Sequence, residues 1–177
     1  MTYEDLLAKA EELQAAGLDD GVYPFACPVD FQTWYYQTVY ANGGYILNED
    51  KTETGYTDPK TMEGIQCWID FIDKGLSPSA ASLAETSADA MFEGNQLAMN
   101  FAGSYMVPEY AGNDAIADKI DCVEIPTFNG VEDNCINGLG YAVYEGSKNK
   151  DAAIEFAIWL GSSEAQKIQG ETGVVIS

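Results

Sequence analysis

A short stretch in the middle of the chain carries side chains that are well placed to hold a ligand. Residues 97–101 are nearly all apolar, which predicts a short buried strand. Gly103 then allows a tight turn or a close approach of backbone to a ligand. Asn100, Ser104 and Tyr105 supply an amide, a hydroxyl and a ring near the strand's carboxyl end, the edge at which open α/β sheets bind ligands. Capping or turn formation would use the Asn100 and Ser104 side chains equally well.

A second concentration of aromatic rings falls in residues 31–40, which a helix pattern covers; the rings are Phe31, Trp34, Tyr35, Tyr36 and Tyr40. A core helix needs only some of them, because the five point around most of the helix. The surplus indicates that one or two rings at the helix start face a cleft, where Gln32 would add an amide. The alternative is a core helix bordered by amphipathic tyrosines, and for Trp34 a core position is an equal alternative.

Covalent chemistry finds little support in the composition. Histidine is absent, which excludes a Ser-His-Asp triad, a histidine base and a histidine-containing metal site within these residues. Among 29 carboxylates, Glu124, Glu132 and Asp133 could supply a glycosidase-like pair, but this abundance makes any one pair uninformative. We therefore expect no catalysis, no metal and no cofactor.

The cysteines predict buried thiols rather than a metal or redox site. Cys27, Cys67, Cys122 and Cys135 form no C-x-x-C pair, which disfavours zinc and thioredoxin-like readings. Cys67 lies beside Trp68 in a helical pattern and is expected to be buried. A Cys122–Cys135 disulfide is the alternative if the protein is exported.

The charge restricts the possible partners. The formal net charge is −21, and all eight cationic residues are lysine. The missing arginine and the acidity disfavour nucleic acid and anionic ligands, and a solvated acidic surface explains the charge. No run of 18 apolar residues is present, so no membrane span is expected. The chain opens almost directly on a helix with no secretory signal before it, so we expect an excerpt of a longer protein.

Helix signals recur along the chain. Thr2 and Asp5 predict a capped start for a helix that ends at Gly17. Asp58 and Pro59 predict the start of a second helix, whose expected core stripe comprises Met62, Ile65, Trp68, Ile69, Phe71 and Ile72.

Two further helices are expected in the second half of the chain. A short helix is expected at residues 106–111, with Pro108 in its first turn. The last long helix opens after Ser147 and shows an apolar face of Ala153, Phe156, Ala157 and Leu160.

The strands are predicted to be short. They fall at residues 22–27, 97–101, 122–126 and 139–144, with a small hairpin around residues 48–51. Residues 79–86 are small and are expected to form a linker. The pattern as a whole predicts an α/β fold in which a short mixed sheet is flanked by helices.

Several motifs resemble those of the extracellular solute-binding proteins of bacterial ABC importers, the sugar-binding group in particular. The family's Phe-x-x-Gly-x-x-Ala-Met and Gly-x-Trp patterns are matched by Phe92, Gly94, Ala98, Met99, Gly103 and Tyr105, with tyrosine in place of tryptophan. Its later pattern is matched by Gly138, Gly140, Ser147, Lys148, Asn149, Ala153, Phe156, Leu160, Ser163, Glu164, Ala165, Gln166 and Gly173. The family's closing proline is missing here.

This resemblance implies a fold and an organisation. Family members have two α/β lobes of the periplasmic-binding-protein type, joined by hinge strands, with the ligand between them. The resemblance implies that residues 1–136 form most of one lobe, the α/β ligand-binding lobe. Residues 137–177 would be a crossing strand and helices that belong to the opposite lobe.

The resemblance also implies a function: non-catalytic capture of a carbohydrate, with oligosaccharides in view, for import through ABC permease subunits. It implies an extracellular, cell-surface or periplasmic location and a membrane attachment only through an anchor outside these residues. Rings would stack on sugar faces, and amides and hydroxyls would pair with sugar hydroxyls. The expected substrate-binding residues are Phe31, Gln32, Trp34, Asn100, Gly103, Ser104, Tyr105, Asn137 and Gly138.

Two alternatives remain open at this point. The acidity of the chain is compatible with a polyamine or another small solute as ligand. A carbohydrate-active enzyme domain or a pure interaction module that docks on a permease is also conceivable, but no carboxylate lies in a clear pocket motif.

Overall fold

The computed structural model describes residues 1–28 and 31–173, which form two compact units. The first unit comprises Met1–Phe101 and Lys119–Ile136; the second comprises Ala102–Asp118 and the chain from Asn137 onward. None of the helices in the described residues has the length and hydropathy needed to cross a bilayer.

The described residues of the first unit form five helices: α1 (Tyr3–Ala15), α2 (Gln32–Ala41), α3 (Pro59–Asp73), α4 (Ala80–Glu85) and α5 (Ala88–Glu93). The second unit contains a 3₁₀ turn (Ser104–Met106), α6 (Val107–Gly112), α7 (Lys150–Leu160) and α8 (Ser163–Glu171). The helix predicted around Pro108 is thus confirmed as the turn followed by α6.

The caps predicted for α1 and α3 are confirmed. The Thr2 hydroxyl accepts from the Asp5 amide at 3.1 Å, and the Asp5 carboxylate accepts from the Thr2 amide at 2.8 Å. Asp58 accepts from the amides of Lys60 and Thr61 at 2.9 and 3.3 Å. These bonds satisfy backbone donors that the first helical turn leaves unpaired.

Aromatic side chains fill the core of the first unit around Trp68. Its ring meets those of Tyr3 at 4.9 Å and Phe101 at 5.6 Å between centroids, and its indole N–H donates to the buried Thr38 hydroxyl at 3.0 Å. The remaining members of the core are Leu6, Ala10, Phe25, Cys27, Trp34, Phe71, Leu76 and Phe128.

Helix α3 buries only part of the predicted stripe. Trp68 and Phe71 are buried as expected, whereas Met62 is exposed, and the buried face also includes Thr61 and Gly64. Gly64 lies on this face because it lets the α2 backbone approach closely. A Cβ atom at Gly64 would lie 2.8 Å from the backbone oxygen of Thr38 and 2.8 Å from the Cα of Val39.

The short mixed sheet is not present as regular strands among the described residues, which form isolated bridges instead. Leu97 is bridged in parallel to Tyr23, and the Met99 amide donates to the Pro24 carbonyl at 3.0 Å. The next amide that a parallel ladder would use, that of Phe25, donates to the Leu76 carbonyl at 3.3 Å instead, so the pairing does not continue as a ladder. Leu97 is nevertheless buried, as expected for a strand at this position.

Two other predicted strands are irregular. Residues 122–126 run without pairing up to Thr127, which then exchanges hydrogen bonds with Met1 and Tyr3. In the described part of the chain, residues 139–144 pair with no neighbouring segment, although the Tyr144 carbonyl accepts from the Ser147 amide at 3.0 Å in the turn that follows, and Leu139 is 91% exposed. Alternation along a segment cannot form a strand where no neighbouring segment supplies partners.

The structure contains the predicted small hairpin but has a helix in place of the predicted linker. Leu47 and Thr54 form an antiparallel bridge around the predicted turn at residues 48–51. The linker predicted at residues 79–86 is wrong, because α4 occupies it: the Ser79 hydroxyl accepts from the Ser82 amide at 3.1 Å, and alanines, strong helix formers, follow.

We predict that Gly64→Ala lowers the free energy of unfolding by about 1–3 kcal/mol, the usual cost of overpacking a filled core. Alanine would gain up to about 1 kcal/mol in helix propensity, but contacts of 2.8 Å with backbone outweigh that gain. Urea unfolding monitored by tryptophan fluorescence measures the change. Met62→Ala, at an exposed site on the same helix, is the control, and equal stability of the two variants would contradict the close approach.

Candidate functional site

The ring of Tyr105 lies directly over Gly103 in the second unit. A Cβ atom on Gly103 would stand 2.1 Å from Cε1 of Tyr105 and 2.6 Å from its Cδ1. Gly103 has φ −73° and ψ 155°, an ordinary extended conformation. Glycine is therefore required here for the space it leaves above the backbone and not for its backbone angles.

The 3₁₀ turn Ser104–Met106 holds this ring at the surface. The Met106 amide donates to the Gly103 carbonyl at 2.9 Å, and the Met106 side chain is buried. Tyr105, the residue between them, remains 48% exposed. The turn thus presents a half-exposed ring beside Gly103, as the sequence predicts, although no regular sheet edge lies under it.

Ser104 does not cap the turn, which was one of its expected roles. The capping position of the turn is Gly103, and no side-chain hydrogen bond caps it. Ser104 is instead the first residue of the turn and is exposed. Ser104 precedes Tyr105 in the chain and lies at the surface of the same unit.

Asn100 lies in the first unit and is tied to α5. Its side-chain amide donates to the Asp89 carboxylate at 2.9 Å, and the residue is half-buried. This bond fixes the segment that follows the bridge at Leu97. The side chain of Asn100 thus has a structural contact, which is neither the capping nor the turn role that the sequence allowed.

At the start of α2, the aromatic residue Phe31 is exposed, whereas Trp34 is buried. Phe31 immediately precedes the helix and is exposed, while Gln32 begins the helix and is half-buried. Trp34 is only 9% exposed, and its ring stacks on Phe101 at 5.3 Å. Trp34 thus fills the core and offers no open ring face, because Phe101 covers it.

Asn137 and Gly138 lie in the second unit and are both exposed, in an irregular segment. A Cβ atom on Gly138 would meet nothing within 4 Å, so glycine is not required there for space. Of the nine predicted site residues, the structure groups Gly103, Ser104, Asn137 and Gly138 with Tyr105 in the second unit. Phe31, Gln32, Trp34 and Asn100 belong to the first unit.

Sequence reasoning missed a group of four packed tyrosines on the first unit, which we call the tyrosine cluster: Tyr35, Tyr36, Tyr40 and Tyr56. Tyr35 meets Tyr36 in a T-shaped contact at 5.1 Å, and Tyr36 meets Tyr40 in the same way at 6.1 Å. The hydroxyls of Tyr35 and Tyr56 are hydrogen-bonded at 2.7 Å. The surplus of rings in α2 signals three members, whereas Tyr56 comes from a loop and carries no local signal.

Two hydroxyls of the tyrosine cluster have raised pKa values. Partial burial, together with the hydrogen bond to Tyr35, raises the pKa of Tyr56 to about 12. Partial burial and the neighbouring Tyr56 raise the pKa of Tyr36 above its ordinary value as well.

The groups that would be needed for covalent or metal chemistry are not assembled in the described residues. Glu124, Glu132 and Asp133 are exposed, and no group of three or more metal-ligating side chains occurs in residues 1–28 and 31–173. All four cysteines are free thiols. Burial raises the pKa of Cys27 strongly and that of Cys67 to about 12, so neither is a thiolate nucleophile near pH 7.

An open apolar groove of about 430 Å³ crosses the second unit. It lies between the irregular segment at residues 141–147 and one face of α7, and its lining residues are Tyr141, Ala142, Val143, Tyr144, Ser147, Ala153, Phe156, Ala157 and Leu160. The α7 face predicted from the sequence thus exists, but no residue of α7 is buried.

We predict that Gly103→Ala displaces the Tyr105 ring while changing stability by less than about 0.5 kcal/mol, because the clashing atoms belong to a movable side chain at the surface. Ring proton chemical shifts and cross-relaxation in NMR spectra report the ring position. Gly140→Ala is the control, since its Cβ would meet nothing within 4 Å. A Tyr105 ring that keeps its contacts in Gly103→Ala would contradict the proposed fit.

A second prediction concerns the Tyr35–Tyr56 hydrogen bond. Tyr35→Phe should lower the pKa of Tyr56 from about 12 but keep it above 10.0, because burial, the larger cause, remains. Since the folded-state pKa is raised, Tyr56 stabilises the fold below pH 10 and loses this contribution as the pH rises towards 12. Phenolate absorbance titration measures the shift, and Tyr141→Phe is the control. An unchanged titration of Tyr56 in Tyr35→Phe would refute the bond.

The comparison with solved structures identifies similar folds. An ABC substrate-binding protein from Listeria monocytogenes in complex with cycloalternan has a TM-score of 0.76 and 24% identity, with 99% of this chain covered and 44% of that protein. A solute-binding protein from Thermotoga lettingae bound with α-D-tagatose has a TM-score of 0.73 and 19% identity, with coverages of 99% and 45%.

A third solved structure is similar at the same level. The GacH receptor of Streptomyces glaucescens, described unliganded and in complex with acarbose, has a TM-score of 0.71 and 19% identity, with coverages of 97% and 44%. The chain thus has a periplasmic-binding-protein-like fold and spans less than half the length of these proteins. Curated protein sequences give no match.

The family comparison covers nearly the whole chain. The profile of the family described as "Bacterial extracellular solute-binding protein" matches residues 1–167. The motifs recognised in the sequence, including the Gly103–Tyr105 pair, lie inside this match, except for Gly173. The chain therefore belongs to the bacterial extracellular solute-binding proteins.

Proposed function

We propose that this chain is part of a non-catalytic extracellular receptor that captures a neutral carbohydrate for uptake by an ABC importer. The observation that carries the proposal is the half-exposed Tyr105 ring seated on Gly103. A flat ring can stack on the apolar face of a sugar, and neighbouring polar groups can pair with its hydroxyls. Family membership and the saccharides named for the three similar structures support this choice.

We propose further candidate contacts on each of the two units. Phe31 supplies a second exposed ring and Gln32 an amide at the start of α2. Ser104 and Asn137 add a hydroxyl and an amide at the surface of the second unit. Trp34 and Asn100 would act indirectly, by holding the core and α5 in place, because both are engaged within the protein.

We further propose that the chain is part of a longer protein and that residues 1–136 and 137–177 belong to different lobes of it. The coverage of 44–45% of the similar structures supports the longer protein. Residues 102–118 depart from this division, because they form one compact unit with the residues that follow Ile136. In the longer protein, further chain would complete a mixed sheet next to the bridge at Leu97 and cover the apolar face of α7. Permease subunits would be its membrane partners, and an anchor outside these residues would attach it to the membrane.

A polyamine receptor is the second candidate, and the net charge of −21 favours it. Screening the full-length protein by isothermal titration calorimetry separates the two. The probes are linear gluco-, xylo- and manno-oligosaccharides together with spermidine and putrescine. Saturable binding of a neutral saccharide supports the proposal, whereas binding of the polyamines alone would contradict it. Hydrolysis of an aryl glycoside would show an enzyme instead.

We predict that Tyr105→Ala in the full-length protein weakens binding of the saccharide by about 1–3 kcal/mol, the range found for stacking on exposed aromatic side chains. Tyr144→Ala, which removes an exposed ring of the same unit, serves as the control and should bind normally. Calorimetry measures both affinities, and thermal unfolding verifies that both variants fold. Equal affinities of the two variants would remove Tyr105 from the site.

A further inference from the structure

The tyrosine cluster has features that packing of the core does not explain. Of its four members only Tyr35 packs against the core of the first unit. Tyr40 is 48% exposed and Tyr56 is 42% exposed, although each is in a ring contact with another member of the cluster. The exposed aromatic surface of the first unit is therefore attached to the core through one ring, that of Tyr35. Exposed aromatic patches are typical of binding surfaces.

The cluster continues from the proposed ligand contact at the start of α2. Phe31 and Tyr35 are four residues apart and lie on one side of the helix, and Tyr36 and Tyr40 form an adjacent pair with the same spacing. From Phe31 to Tyr40 the rings follow the helix for about 14 Å, which exceeds the width of one sugar ring.

The chemistry of this surface selects among possible ligands. Its rings offer stacking faces, and its hydroxyls are neutral donors and acceptors. Burial and the hydrogen bond to Tyr35 raise the pKa of Tyr56. A chain with a net charge of −21 and no arginine is unsuited to nucleic acid. An uncharged, polyhydroxylated, extended ligand fits these properties.

We propose that the tyrosine cluster is an additional carbohydrate-contact surface that increases affinity for saccharides of several units over single sugars. This inference rests on the proposed carbohydrate-binding function. The first sugar unit would contact Phe31 and Gln32 at the start of α2, and later units of the same saccharide would lie along α2, within the first unit. Tyr40 and Tyr56 would supply the exposed rings, while Tyr35 and Tyr36 would support them.

The experiment measures how the affinity depends on saccharide length. Full-length protein, Tyr40→Ala and Tyr56→Ala are titrated by calorimetry with linear gluco-, xylo- and manno-oligosaccharides of increasing length, from the monosaccharide up. Each variant should lose about tenfold in affinity for the longest bound saccharide, as expected for one lost stacking contact. Binding of the mono- and disaccharides should be unchanged. Leu47→Ala, at an exposed apolar residue of the same unit, is the control.

Two further variants separate this inference from the proposed function. Tyr105→Ala should weaken saccharides of every length, and Tyr56→Phe distinguishes a lost hydroxyl from a lost ring. Wild-type protein that binds no saccharide would contradict the proposed function itself. Wild-type binding with the same length dependence in Tyr40→Ala and Tyr56→Ala would overturn only the role of the cluster. Loss of permease association in these variants, with saccharide binding intact, would assign the cluster to a protein contact and overturn the proposal as well.

Discussion

The packing of α3 against α2 is the interaction on which the first unit depends. Gly64 brings the two helices into backbone contact, and this approach allows the Trp68 indole to reach the Thr38 hydroxyl. Trp68 in turn touches rings from α1, from the segment before α2 and from residues 97–101 through Tyr3, Phe25 and Phe101. A buried indole N–H without an acceptor would cost about 1–3 kcal/mol. The buried position of Trp68 therefore depends on its hydrogen bond to Thr38.

The same helix arrangement determines which aromatic residues remain available for binding. Trp34 turns inward onto Phe101, whereas Phe31 and the tyrosine cluster stay at the surface of the first unit. In the second unit, the Tyr105 ring occupies the space that a side chain at Gly103 would fill, and the buried Met106 side chain anchors the turn. Both units thus present rings that are fixed by packing and partly open, as stacking sites require.

Local signals in the sequence predicted the starts of α1 and α3, because a cap such as Thr2 with Asp5 is decided within four residues. The start of α4 carries a similar local signal, the Ser79 cap, and was missed. Other failures arise where distant contacts decide the outcome. On α3 the contact of Gly64 with α2 fixes the buried face, and periodicity alone wrongly included Met62. Strand pairing depends on partners elsewhere in the chain, and next to Leu97 the Phe25 amide bonds to Leu76 instead of continuing the ladder.

In the candidate site, too, a contact between residues close in sequence was predictable, whereas contacts between distant residues were not. The Gly103–Tyr105 pair was predictable, since the seat and the ring are two residues apart. Membership of Tyr56 in the tyrosine cluster was not, because its hydrogen-bond partner Tyr35 is 21 residues away. The core position of Trp34 was likewise undecided by the sequence, since Phe101 covers its ring from a distant segment.

A crystal structure of the full-length protein with a bound neutral saccharide would test the central claim most directly. The account predicts a sugar ring stacked face to face on Tyr105, with the Tyr105 ring still seated over Gly103. A saccharide bound away from Tyr105, with that ring turned into the protein interior, would contradict it.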